Sequence, residues 1–252
     1  MQWVDDNKLR RFGKDNNASI KCSSLPTINL SPFHNVTAVS TNFLERCSGL
    51  SSLDLSPLSK VTVVRESFLS GCSGLSTLDI SPLSNVTHIY PSFLSKCSGL
   101  TTIDFTPMCN VAVVSSHFLE QCSGLKTVNL SGLRNISAIP SNFMVECVGI
   151  TSIDFSAFCN VTEINEHFMD RCRGLKTVDF TGLEKITTLP PFFLFECTGI
   201  TEIHFTPLKN VMTLSSHFMF GCSSLKAIDL TGFHNVTELP VAFLSQCTSL
   251  LD

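Results

Sequence analysis

One tryptophan and one tyrosine stand against 20 phenylalanines in this 252-residue chain. Trp and Tyr combine an apolar body with a polar tip, so a surface nearly without them has few anchors for stacking a sugar or building a hot spot. That weakens a lectin reading. No 18 apolar residues follow one another, so no segment reads as a membrane span. Positive charge is also short. Lys and Arg number 17 against 21 Asp and Glu, a formal net charge of -4, and no basic footprint for nucleic acid results. The start, MQWVDDNKLRRFGK, lacks the apolar core of a secretory signal; an already processed protein or an intracellular one fits that start. Gly-rich phosphate loops and H-E-x-x-H are missing, and no Ser or Cys is singled out from its neighbours as a nucleophile. Such a chain is expected to be no enzyme and to use no cofactor.

Insertions and deletions are missing as well, and that absence is the most informative. Cysteines fall at Cys22, Cys47, Cys72, Cys97, Cys122, Cys147, Cys172, Cys197, Cys222 and Cys247, each 25 residues after the last. Counting from the cysteine as position 0, apolar residues recur at positions 3, 6, 8, 11, 14, 17, 21 and 22. Positions 6 and 8 flank a polar residue, as in Leu78-Asp79-Ile80 and Ile103-Asp104-Phe105, the alternation of a half-buried strand. A Pro or Gly at position 10, such as Pro82, Pro107, Gly132 or Gly182, ends that strand. A second short apolar pattern, Val86-Thr87-His88-Ile89 for instance, suits a return strand, and a Phe-Leu or Phe-Met pair closes each unit. One unit cannot enclose its own apolar residues, whereas stacked units cover one another. The period predicts a mainly β or α/β-type solenoid with a parallel sheet, right-handed, of about ten rungs that each advance about 4.8 Å.

The motif C-x-x-L-x-x-I-x-(L/F)-(S/T)-P followed by V-x-x-I-x-x-x-F-x-x-C covers residues from about 19 to 250. It resembles the leucine-rich repeat, and more narrowly its BspA-like subclass. The resemblance implies a surface adhesion or interaction protein of the kind found in bacteria and protists, with no enzyme activity. Residues 1–21 depart from the repeat and are expected to be an N-terminal cap or linker, with 22–252 the solenoid. The last unit stops inside a repeat, as a truncated array would.

Ten of the 12 cysteines share one register. Parallel neighbours on adjacent rungs rarely meet disulfide geometry, so buried free thiols are expected. Cys109 and Cys159 occupy position 12, two rungs or about 10 Å apart, too far to bond or share a metal. The same spacing separates His117, His167 and His217, which recur every 50 residues from about residue 101 onward, as do Lys126, Lys176 and Lys226. No metal site is expected.

Function is sought on the outward rows of the first strand. The candidate partner-binding face comprises Thr77, Asp79, Thr102, Asp104, Thr127, Ser152, Asp154, Thr177 and Asp179. It would hold a macromolecular partner, most simply a protein, at the cell surface or outside the cell, without excluding the cytoplasm. The same rows also fit a plainly solvated sheet rich in β-favouring Thr. Carboxylates about 5 Å apart repel, which should raise their pKa values or draw in cations. The alternative role is a structural element that associates end to end. Position 13 carries an asparagine ladder, and Asn35, Asn85, Asn135, Asn160 and Asn235, with Asn17 outside it, sit in N-x-(S/T) sequons. These are possible glycosylation sites or, equally, a ladder bonded to neighbouring backbone.

Overall fold

The computed structural model describes residues 23–250. Each unit makes one turn of a parallel solenoid. The first strand is seen in Thr102–Asp104, Thr127–Asn129, Ser152–Asp154, Thr177–Asp179, Glu202–His204 and Ala227–Asp229. The second strand recurs eight times, from Ala38–Val39 to Thr213–Leu214. The described residues therefore make about eight turns where the repeat count predicts about ten. The first cysteine lies outside them and the last unit is incomplete. The expected cap at 1–21 also falls outside the described residues. Between the strands run short 3-10 turns such as Ser81–Leu83 and Thr206–Leu208. No α-helix occurs among the described residues, so the fold is mainly β.

All the ladders are parallel, and partners differ by 25 residues: Ile103 faces Val128, Ile153 faces Val178, and Val39 faces Val64. The invariant unit length is what permits this, since one inserted residue would turn later side chains to the opposite face. Inside, the phenylalanines at position 21 form one continuous file. Phe43, Phe68, Phe93, Phe118, Phe143, Phe168, Phe193, Phe218 and Phe243 stack with centroids 4.9–6.4 Å apart and planes within 15°. Phe105, Phe155 and Phe205 pack obliquely against that file.

From Cys97 to Cys247 the column consists of buried free thiols, as expected. From Cys72 to Cys247 each Sγ donates to the carbonyl 28 residues earlier, Cys97 to Leu69 at 3.2 Å and Cys147 to Leu119 at 3.1 Å. Burial raises Cys97, Cys147 and Cys197 well above the ordinary thiol range and lifts Cys122 and Cys172 to about 12. Thiolate is the reacting form, so a maleimide or disulfide reagent should label the exposed Cys159 and the half-buried Cys109 first. Cys97 through Cys222 of the column should stay unlabelled until the chain is denatured, as mass mapping would show; early labelling there would mean an open core.

The third edge of each turn is less regular than its sequence suggests. Positions 20, 22 and 24 hold positive φ in turn after turn, for example Ser92, Leu94 and Lys96 at 61°, 54° and 61°. Phe93 and Leu94 are consecutive yet both buried, which an extended chain forbids because neighbours alternate sides. The left-handed residue swings the second side chain inward at a cost of roughly 1–2 kcal/mol. Bonds between turns compensate: Leu94 N–H donates to Phe68 O at 3.0 Å, and Lys96 N–H to Glu120 O at 2.6 Å.

Candidate functional site

The first strand presents its polar residues as drawn from the sequence. Thr77, Asp79, Thr102, Asp104, Thr127, Ser152, Asp154, Thr177 and Asp179 are all exposed. Register brings Thr102 beside Thr127, Ser152 beside Thr177, and Asp154 beside Asp179. Alternation forces this, because Ile103, Ile153 and their equivalents occupy the inward side.

The aspartates have a local role that the sequence reading did not assign. Wherever the position holds Asp, its carboxylate accepts the N–H of the residue two places on, at the start of the turn that follows the strand. Ser56 donates to Asp54 Oδ1 at 2.8 Å, Ser81 to Asp79 at 2.8 Å, Thr106 to Asp104 at 2.9 Å, Ser156 to Asp154 at 2.7 Å, and Thr181 to Asp179 at 2.9 Å. This is an Asx turn. Asn129 does the same for Ser131 at 3.1 Å, which explains why Asn and Asp interchange at this position.

The electrostatic expectation for this row is corrected at two places. Asp54 and Asp229 lie below the ordinary carboxylate range, not above it. The Ser56 hydroxyl holds Asp54 there, aided by the Ser56 N–H. Thr231 does so for Asp229, hydroxyl first and N–H second. Hydrogen bonds to the ionised form outweigh repulsion along a row that water screens. His204 interrupts the row, with Nε2 3.2 Å from Glu202 and Nδ1 3.8 Å from Asp229.

The sequon asparagines at 35, 85, 135, 160 and 235 are exposed; Asn17 lies outside the described residues. Four of them form the ladder, each Nδ2 donating to a carbonyl of the preceding turn: Asn85 to Ser59 at 3.2 Å, Asn135 to Cys109 at 2.8 Å, Asn160 to Arg134 at 3.2 Å, and Asn235 to Lys209 at 3.0 Å. Asn35 instead contacts His34 through Nδ2 and accepts the Lys60 ammonium at 2.8 Å.

A second surface was not read from the sequence. On the turn edge Phe192 lies between His167 and His217, at 4.6 and 4.9 Å with nearly parallel planes. Beside them Phe195 stacks on Phe220 at 5.1 Å, and Arg171 sits 5.3 Å above the Phe195 ring. Arg171 and Arg173 share Glu196, at 3.5 and 2.8 Å. Asp170 is buried against His167, at 3.0 Å, and burial raises its carboxyl against the lowering influence of that bond and of Arg171. The signal in the sequence was the presence of Phe at positions 20 and 23, where other units place Ser, Asn, His or Ala and Glu, Ser, Val or Asp respectively. A groove of about 560 Å³ runs alongside, lined in part by Lys96, Gln121, Glu146 and Arg173. Among the described residues no group of three or more His, Cys, Asp or Glu could hold a metal ion, and no helix is long and apolar enough to cross a membrane.

Comparison with known proteins bears on the fold. The family model for the BspA type leucine rich repeat region matches six copies over residues 15–144 and 113–251. A leucine-rich repeat protein from Bacteroides ovatus is similar in structure, with 18% identity and a TM-score of 0.58 over 92% of this chain and 67% of that one. A leucine rich cell surface protein from Faecalibacterium prausnitzii has 16% identity and a TM-score of 0.43, covering 86% of this chain and 76% of its own. The functional domain of InlJ from Listeria monocytogenes, which includes a cysteine ladder, has 17% identity and a TM-score of 0.36 over 83% and 49%. Curated proteins provide no match. Register, strand pattern and matched length lead to one conclusion: the chain belongs to the BspA-type leucine-rich repeat family.

Proposed function

We propose that the chain is a non-catalytic interaction module that holds a protein partner on its first-strand face, at the cell surface or outside the cell. The observation that carries this reading is the exposed row of hydroxyls and carboxylates held in register. Each Asx turn fixes Oδ1, so Asp79, Asp154 and Asp179 present a pre-oriented Oδ2 that has no hydrogen-bond partner among the described residues. A fixed acceptor loses little entropy on binding. Family membership supports the placement at a surface. The sequon asparagines are compatible with glycans under this reading, because an N-linked sugar leaves one Nδ2–H for the ladder.

Charge and cap separate cleanly at this row. Changing Asp79, Asp104 and Asp154 together to Asn keeps the acceptor for each turn and removes only the charge. Capture of a protein partner by the immobilised module should fall at least about tenfold, in line with loss of charge-assisted bonds, while circular dichroism stays that of the parent chain. Undiminished capture by the triple variant would remove the face from consideration.

A further inference from the structure

Three histidines stand at one register of the turn edge: His117, His167 and His217. Nδ1 of His117 is 3.1 Å from Glu120 Oε2, and Nδ1 of His167 is 3.0 Å from Asp170 Oδ2. At the third position the matching residue is Phe220, and Nδ1 of His217 is buried with no hydrogen-bond partner among the described residues. The rings facing His217 are Phe192 and Phe195 of the preceding turn, at 4.9 and 6.3 Å, and Phe220 of its own, at 5.8 Å. None of them titrates. The following turn meets this residue through the Val241 carbonyl, which accepts the His217 backbone N–H at 2.9 Å. Nearby on the preceding turn, Glu196 is occupied by Arg171 and Arg173.

A neutral imidazole needs only one donor satisfied, because its other nitrogen is a bare acceptor; imidazolium carries two N–H donors. Charging His117 or His167 supplies a donor that already has a carboxylate in place. Charging His217 points a buried donor at phenyl rings. Stacking on Phe192 favours positive charge at His167 and His217 alike, so it does not set the two apart. The missing carboxylate does. We propose that mild acid loosens the turn at residues 216–222 selectively, leaving the equivalent turns at 116–122 and 166–172 closed. Imidazole is the group that changes charge in that range, and the 50-residue recurrence provides two internal controls in the same molecule.

The test is hydrogen exchange of the intact chain at pH 7.5 and pH 5.5, expressed as protection so that intrinsic exchange rates cancel. Protection of the Gly221 and Cys222 amides, which donate to Ser245 and Met219, should fall about tenfold, as an unsatisfied buried donor implies. The amides of Gln121 and Cys122 should not change. Phe220→Glu, which restores the carboxylate found at position 120, should abolish the loss. So should His217→Ser, the residue type already present at Ser67 and Ser92. An equal fall in all three turns, or a fall that survives His217→Ser, would overturn the proposal.

Discussion

Phe168→Ala is expected to cost about 3–5 kcal/mol and to divide the cooperative unfolding of the array. Phe168 is fully buried and meets three other rings, Phe143 at 6.1 Å, Phe155 at 5.4 Å and Phe193 at 4.9 Å. Truncation leaves a cavity whose walls are themselves pinned in the stacked file, so they collapse little. A solenoid couples each turn only to its neighbours, and a weak turn therefore separates the two flanks. Urea unfolding followed by circular dichroism should change from one transition to two. Hydrogen exchange should place the fault between the turns of Phe143 and Phe193. A loss under about 1 kcal/mol would show that the file is loosely packed and that the strands hold the rod without it.

The second large effect is expected at Gly132→Ala. A Cβ built there would lie 1.8 Å from the Phe105 carbonyl oxygen. That oxygen is not free to retreat, because it accepts the Met108 N–H at 2.9 Å in the turn below. Relief must come from parting two turns, and overpacking of this kind typically costs about 1–3 kcal/mol. Gly182 and Gly232 approach Phe155 and Phe205 in the same way, at 2.4 and 1.9 Å. The 50-residue recurrence thus has a packing consequence besides its history. Thermal melting should show a fall of several degrees, at about 2–4 °C per kcal/mol for a chain of this size. Ala157→Gly, the reverse change at the same position one turn on, should cost under about 1 kcal/mol. Equal effects of the two changes would mean that the close approach at residue 132 does not constrain the turn.

Much of this was legible in the residues. Alternation around Ile103 and Ile153 named the inward and outward sides of the first strand, and the structure keeps them. The constant unit length foretold the straight files, because columns form only where no residue is inserted. The thiols at Cys97 and Cys147 were readable as buried for the same reason. Legibility ended where side chains bond to something distant in sequence. The aspartate row was read as repelling, yet at Asp54 the turn itself lowers the carboxyl, through a hydroxyl and an N–H two residues away. The rings of Phe192, Phe195 and Phe220 were absorbed into a count of phenylalanines, since a one-dimensional pattern does not say which of them face outward.

A period without exceptions is a complete instruction for stacking. Hydrophobic burial at fixed positions and backbone pairing between equal units leave one economical arrangement, and the residues by themselves determined the parallel rod, its core files and its polar strand face. The left-handed corner at Leu94, the closeness of Gly132 to Phe105 and the aromatic edge around His217 were decided only by the folded chain. Each arises from contact between turns, where a preference of the single residue yields to bonds about 25 positions away.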